Sequence, residues 1–144
     1  MVFRVRSCIL WRHLASGQAR QNDASRLHLP FSTFLFDGNP ETCWQSNSGE
    51  SQWILVEFKE PLKITSIRIQ FQGGFAVEEA LLRLWTKEKK DCPVSYPFHP
   101  TNTNSLQSFS FTDANAYTCA AIILKKATDP FGRIVVYQLD FSFA

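Results

Sequence analysis

The chain lacks most of the short motifs that would announce a chemistry, and each gap excludes something. Its four cysteines, Cys8, Cys43, Cys92 and Cys119, form no Cys-x-x-Cys pair, so neither a paired zinc cluster nor a dithiol redox motif can be built locally. Asn-x-Ser/Thr acceptors are missing, as is the dense cysteine framework by which small secreted domains replace a core. Free thiols in a reducing compartment fit this pattern. The longest apolar run, residues 119–124, is far short of the ~20 residues that cross a bilayer, so no membrane partner is expected. Charge of one sign is scarce as well. Lysine and arginine number 15 against 13 aspartates and glutamates, too small an excess to attract nucleic acid or an acidic surface.

Catalytic equipment is equally thin. His13, His28 and His99 lie on unpatterned stretches, and no Gly-x-Ser-x-Gly elbow, His-x-x-x-His pair or phosphate-cradling glycine loop is present. Cys92 with His99 would supply at most two ligands where structural zinc takes four. Gly73-Gly74 lacks the further glycines of a dinucleotide loop and reads as a sharp turn. The pairs Lys89-Lys90 and Lys125-Lys126 are too few for a phosphate-tracking stripe. No catalytic residue, metal or cofactor is expected.

Apolar side chains, by contrast, are plentiful: 44% of 144 residues are hydrophobic and 14% aromatic, enough for one core and one domain. The first 22 residues carry Arg4, Arg6, Arg12 and Arg20 with no acid. Residues 1–30 read as a basic arm or an irregular first strand, with a mitochondrial transit segment as the alternative. The domain proper is expected over residues 31–144.

Within it, residues 31–36 form a short apolar run that stops at Asp37-Gly38-Asn39-Pro40, a set of turn formers. Residues 52–58 read as a largely buried strand closed by Lys59-Glu60-Pro61. Ile67, Ile69 and Phe71 alternate with Arg68, Gln70 and Gln72, the period-2 pattern of a half-buried antiparallel strand. Residues 78–85 satisfy helix and strand templates alike. Residues 87–104, with Pro93, Pro97 and Pro100, read as an extended surface connection. Residues 106–111 and 117–124 read as strands, the second with Ala120, Ile122 and Leu124 inward. In the last strand Val135, Tyr137, Leu139, Phe141 and Phe143 alternate with Val136, Gln138, Asp140 and Ser142. Many short strands with turn punctuation predict an all-β sandwich or barrel.

Two stretches carry more than periodicity. Asp37-Gly38, Thr42-Cys43-Trp44-Gln45-Ser46 and Gln52-Trp53-Ile54-Leu55-Val56-Glu57-Phe58 resemble the Asp-Gly … Thr-x-Trp … Gln-Trp signature of discoidin, or coagulation-factor C-type, domains. The likeness runs from about Phe36 to the end of the chain. It implies an antiparallel jelly-roll sandwich of the galactose-binding-like kind, binding partners through loops at one end. Ile69-Gln70-Phe71-Gln72-Gly73-Gly74-Phe75, Asn104-Ser105-Leu106-Gln107 and Ala127-Thr128-Asp129-Pro130-Phe131-Gly132-Arg133-Ile134-Val135-Val136-Tyr137 narrow the resemblance to nuclear-receptor-associated proteins, which implies a co-regulator of the nucleus, with the cytoplasm as a second compartment, that associates with a nuclear receptor and represses its transactivation. Asp37, Gly38, Thr42 and Trp53 are expected to hold the signature loop together. Trp44, Phe75 and Phe131, rimmed by Gln45, Gln72 and Arg133, are expected to form an apolar patch that a protein partner covers. Arg133 can instead pair with Asp129 across the Pro130-Phe131-Gly132 turn. Some members hold calcium through a last-strand acid; the corresponding position is near Gln138, and an amide brings no charge to a hard cation. A carbohydrate-binding module of the same fold is the alternative. A ubiquitin-ligase recruitment subunit is another, because a discoidin-like member of the anaphase-promoting complex has a similar Thr-x-Trp-Gln-Ser loop; its Ile-Arg tail has no counterpart in Phe143-Ala144.

Overall fold

The computed structural model describes the backbone of residues 3–7 and the whole of residues 35, 36, 39, 41–91 and 93–144. Cys8, His13, His28, residues 31–34, Asp37, Gly38, Pro40 and Cys92 lie outside the described residues, as does residue 1–30 arm apart from the first strand. Among the described residues nine strands follow one another: β1 (Phe3–Ser7), β2 (Trp44–Gln45), β3 (Ser51–Leu62), β4 (Ile64–Phe71), β5 (Val77–Trp85), β6 (Val94–Phe98), β7 (Leu106–Ser110), β8 (Tyr117–Ala127) and β9 (Val135–Phe143). They form two antiparallel sheets, a five-stranded one in the order β1-β3-β8-β5-β6 and a four-stranded one in the order β2-β9-β4-β7. No helix occurs among the described residues.

The sheets meet through alternating side chains. On β3, Ile54, Val56 and Phe58 turn inward, directly across from Ile122 and Ala120 of β8, which in turn face Leu82 and Leu84 of β5. Ile67, Ile69 and Phe71 of β4 cover them from the other sheet, all fully buried. The expected alternation of β4 and the inward set of β8 are therefore seen as predicted. Burying a large aliphatic side chain contributes roughly 1.5–3 kcal/mol, and this layer supplies the main cohesion. Aromatic rings close the two flanks. Phe58 meets Phe141 and Phe143 edge-on at 5.8 and 5.7 Å, and Phe98 packs on Phe109 at 4.7 Å between the free edges.

One open reading is settled and two expectations are corrected. Residues 78–85 are strand: β5 lies between β8 and β6, and the ladder overrides the helical composition. The connection 87–104 contains β6 despite Pro97, because β6 is the sheet edge and needs hydrogen bonds on one side only. In β9 the strict alternation fails. Gln138 pairs with Gln70 while Val136 pairs with Phe71, so Tyr137 is the extra residue of a bulge. Val136 and Leu139, three apart, are both fully buried, and Tyr137 turns its hydroxyl to Gln72 Oε1 at 3.2 Å.

Candidate functional site

Antiparallel pairing gathers the connections 45–51, 71–77, 98–106 and 127–135 at one end of the sandwich. These loops are tied to each other by their backbones. Ser46 N donates to the Ile134 carbonyl at 2.9 Å, Ile134 N donates back to Ser46 Oγ at 2.9 Å, and Gly49 N donates to the Phe131 carbonyl at 3.1 Å. Val135 N donates to the Phe75 carbonyl, bringing in the β4–β5 turn. Asn104 Oδ1 and Asn102 Oδ1 accept from Gly73 N and Gly74 N at 2.7 and 2.8 Å. Gly74, at φ 87°, occupies a backbone region that favours glycine.

Asp129 organises the tip. Its carboxylate is 7% exposed and accepts from Phe131 N, Arg133 N and Arg133 Nε through Oδ2, and from Arg133 Nη2 through Oδ1, all at 3.0–3.1 Å. The Arg133 guanidinium and these amides hold the carboxyl at about 2, well below the usual range, although desolvation opposes the shift. So fixed, the guanidinium lies 5.4 Å from the ring centroids of both Phe75 and Phe131. Phe131 remains 68% exposed. Beside it is an open hollow of about 460 Å³ between Glu50, Lys126, Pro130 and Phe131.

Of the six residues expected to form the patch, the structure brings four together: Phe75, Phe131 and Arg133 in one stack, with Gln72 at the base of the Phe75 turn, where its carbonyl accepts from Phe75 N at 2.9 Å. Gln45 is exposed on β2. Trp44 is not part of the surface. It is 3% exposed and belongs to the core, because β2 pairs with Val136 and Val135 and turns the indole inward. In the signature loop, Thr42 N and Oγ1 both donate to the Asn39 carbonyl. Trp53 lies on the outer face of the five-stranded sheet, opposite Ile123. Its neighbour Gln52 ties β3 to the following loop: it is 5% exposed and donates Nε2 to the Asn47 carbonyl at 2.8 Å. A glutamine at an inward position of an otherwise apolar alternation was the signal for that role.

Gln138 faces outward on the four-stranded sheet and donates to Asp140 Oδ2 at 2.6 Å, while Asp140 pairs with Arg68. That position does not fit a calcium ligand. Among the described residues no group of three His, Cys, Asp or Glu converges, and no helix is long and apolar enough to cross a membrane.

Two antiparallel sheets with their connecting loops gathered at one end define a galactose-binding-like, discoidin-type sandwich. Residues 34–120 match the family model of the NedA-like, galactose-binding domain. The fold recurs in CpGH89CBM32-5 from Clostridium perfringens, solved in complex with GalNAc-beta-1,3-galactose (TM-score 0.69, 11% identity, 96% of this chain and 94% of that one). It recurs also in the family 32 module of NanJ from C. perfringens, solved with galactose (TM-score 0.64, 13% identity, 96% and 92%). Curated relatives are more specific. The chain is 45% identical over 107 residues to the nuclear receptor 2C2-associated protein of Danio rerio (74% of this chain, 75% of the relative). To that of Homo sapiens it is 37% identical over 105 residues (73% and 74%). The chain belongs to the nuclear receptor 2C2-associated protein family.

Proposed function

We propose that this chain is a non-enzymatic binding module that associates with a nuclear receptor through the Phe75–Arg133–Phe131 tip and acts in the nucleus as a repressing co-regulator. The observation that carries the reading is Phe131, 68% exposed on a loop whose backbone is fixed by Asp129. An aromatic ring held rigidly in water loses little conformational freedom on binding and gains a large desolvated area, the profile of an interface hot spot. Arg133 supports the ring and has its charge balanced by Asp129, so the tip suits an apolar protein surface better than a phosphate. The names of the relatives supply the partner class.

The test is a titration of the receptor named in those relatives, nuclear receptor 2C2, against the full chain. Phe131→Ser is expected to weaken binding at least tenfold and to relieve repression in a reporter assay, with the unfolding midpoint unchanged. Undiminished affinity in the folded variant would remove the tip from the interface. The second reading, carbohydrate binding, draws on the same ring beside a guanidinium and on neighbours solved with galactose-containing ligands. Calorimetry with galactose and N-acetylgalactosamine decides it: heat lost in Phe131→Ser favours a sugar site.

A further inference from the structure

The outermost strands of a sheet present backbone groups without a neighbour, and folded proteins blunt such edges against stray pairing. Among the described residues the sandwich has four outer strands, β1 and β6 on one sheet and β2 and β7 on the other. Three are blunted. β1 has Arg4 and Arg6 among its five residues, β6 has Pro97, and β2 is two residues long. β7, Leu-Gln-Ser-Phe-Ser over residues 106–110, has no charge, no proline and no register shift against β4. The groups it leaves open follow from its ladder. Phe111 N donates to the Thr65 carbonyl at 2.8 Å. Antiparallel alternation therefore turns the N–H and C=O of Phe109 and Gln107 toward β4, and those of Ser110 and Ser108 away from it. Neither serine's backbone has a hydrogen-bond partner among the described residues.

We propose that β7 is a strand-addition edge, at which an extended, uncharged segment of another protein pairs antiparallel and sets an apolar side chain between the two sheets. Beside the edge lies a hollow of about 450 Å³ between β6 and β7, walled by Tyr96, Phe98, Phe109 and Phe111. In an added strand the residue opposite Phe109 shares its face and enters this hollow. Residues opposite Ser108 and Ser110 exchange hydrogen bonds with them and point to water. Backbone pairing of this kind supplies affinity, and the hollow supplies selectivity. Charge fixes the chemistry of the occupant. Residues 94–112 contain no Asp, Glu, Lys or Arg, so a charged side chain entering the hollow would lose water without meeting a counter-ion. The nearest charges are already engaged: Asp113 by the hydroxyls of Tyr96 and Tyr117, each at 2.6 Å, and Arg68, level with Ser108, by Asp140.

The edge is held ready for a partner. Gln107 Oε1 accepts from Thr101 N at 2.8 Å and Gln107 Nε2 donates to the Thr101 carbonyl at 2.9 Å, which fastens the β6–β7 connection to the strand and lowers the ordering cost of binding. Size argues against a second copy as the occupant. Five residues at ~3.4 Å rise across two sheets ~10 Å apart give roughly 170 Å² per copy, far below the ~800 Å² that each side of a stable interface uses. The assignment is independent of the Phe131 tip, which the connection 127–135 carries.

The test uses a capped peptide of alternating threonine and valine with a lysine at each end, titrated to about 1 mM into the isotope-labelled full chain, so that dissociation constants up to that order are read from amide spectra. Shifts are expected at residues 106–111, with slowed amide exchange at Ser108 and Ser110. Methylating the backbone nitrogens of the peptide's threonines, which face β7, should weaken binding at least tenfold, whereas methylating those of its valines should not. Ser108→Pro removes an N–H that the β4 ladder does not use, so the variant should fold and bind at least tenfold more weakly; Phe131→Ser should bind like the wild type. Absence of shifts up to about 1 mM, or binding indifferent to both Ser108→Pro and threonine methylation, overturns the proposal. Should Ser108→Pro fail to fold, the methylated peptides decide alone. Binding lost in Phe131→Ser moves the peptide to the tip and overturns the edge. Shifts at 106–111 that grow with protein concentration before any peptide is added give the edge to a second copy and overturn the peptide assignment.

Discussion

Gly132 shows how much of the tip depends on one absent methyl group. Its φ is 78°, and a Cβ built there would fall 1.9 Å from the Gly49 carbonyl oxygen. The neighbouring atom is backbone, itself tied to the Phe131 carbonyl through Gly49 N, so relief requires two loops to part. Gly132→Ala is expected to cost at least the ~1–3 kcal/mol typical of a strained backbone position, measured by urea denaturation, and to loosen amide exchange at Gly49. Trp44 and Phe131 form a complementary pair of tests. Trp44→Ala removes a core ring and should lower stability by about 3–5 kcal/mol. Phe131→Ser should change stability by no more than about 0.5 kcal/mol, since the ring it removes is mostly in water. A reversal of that ranking would show that the core and surface roles have been exchanged.

Among the elements, those readable from sequence were the ones in which local pattern and tertiary environment agree. β4 alternates because one of its faces is core and the other is solvent, and Ile67, Ile69 and Phe71 announce it unaided. β5 was ambiguous because Leu81, Leu82 and Trp85 suit a helical face too; both faces of the five-stranded sheet accept apolar residues, which erases the period of two. β6 was hidden by Pro97, whose meaning depends on the strand's position at the edge, a fact of topology and not of sequence. The tip was half legible. Glycine-flanked Phe75 and Phe131 pointed to it, whereas Trp44, between Cys43 and Gln45, lies in the core, because nothing local distinguishes an inward indole from an outward one. The Asp113 latch went unseen because its partners are remote. Asp113 Oδ2 accepts from Tyr96 and Tyr117 hydroxyls, each at 2.6 Å, joining edge strand β6 to β8 through the β7–β8 connection. Asp113→Ala is therefore expected to release β6 first, seen as faster amide exchange at 94–98 while β3 and β4 remain protected.

At the scale of the whole molecule, two carboxylates held at about 2 stand at opposite ends of β8, Asp113 before it and Asp129 after it. Burial alone would raise Asp113, but the hydroxyls of Tyr117 and Tyr96 and the amides of Asn115 outweigh it and bring the carboxyl to about 2. Asp129 reaches about 2 through Arg133. An unfolded chain carries both near the ordinary carboxylate value of 3.8, so between these limits it binds more protons than the folded one. Stability then rises with pH. The contribution of both latches is complete above about 4 and disappears as pH falls toward 2. The alkaline limb has the opposite sign. The hydrogen bond to Asp113 raises Tyr96 to about 12 from 10.0, so its contribution holds below 10 and is lost as pH climbs through 12. Urea midpoints measured across pH should form a plateau falling at both extremes. Asp129→Asn should flatten part of the acid limb only. Asp113→Asn should flatten a further part of the acid limb and the Tyr96 part of the alkaline limb together, because one carboxylate sets both. An Asp113→Asn profile altered on the acid side alone would separate the tyrosine from the carboxylate and break the latch into independent contacts.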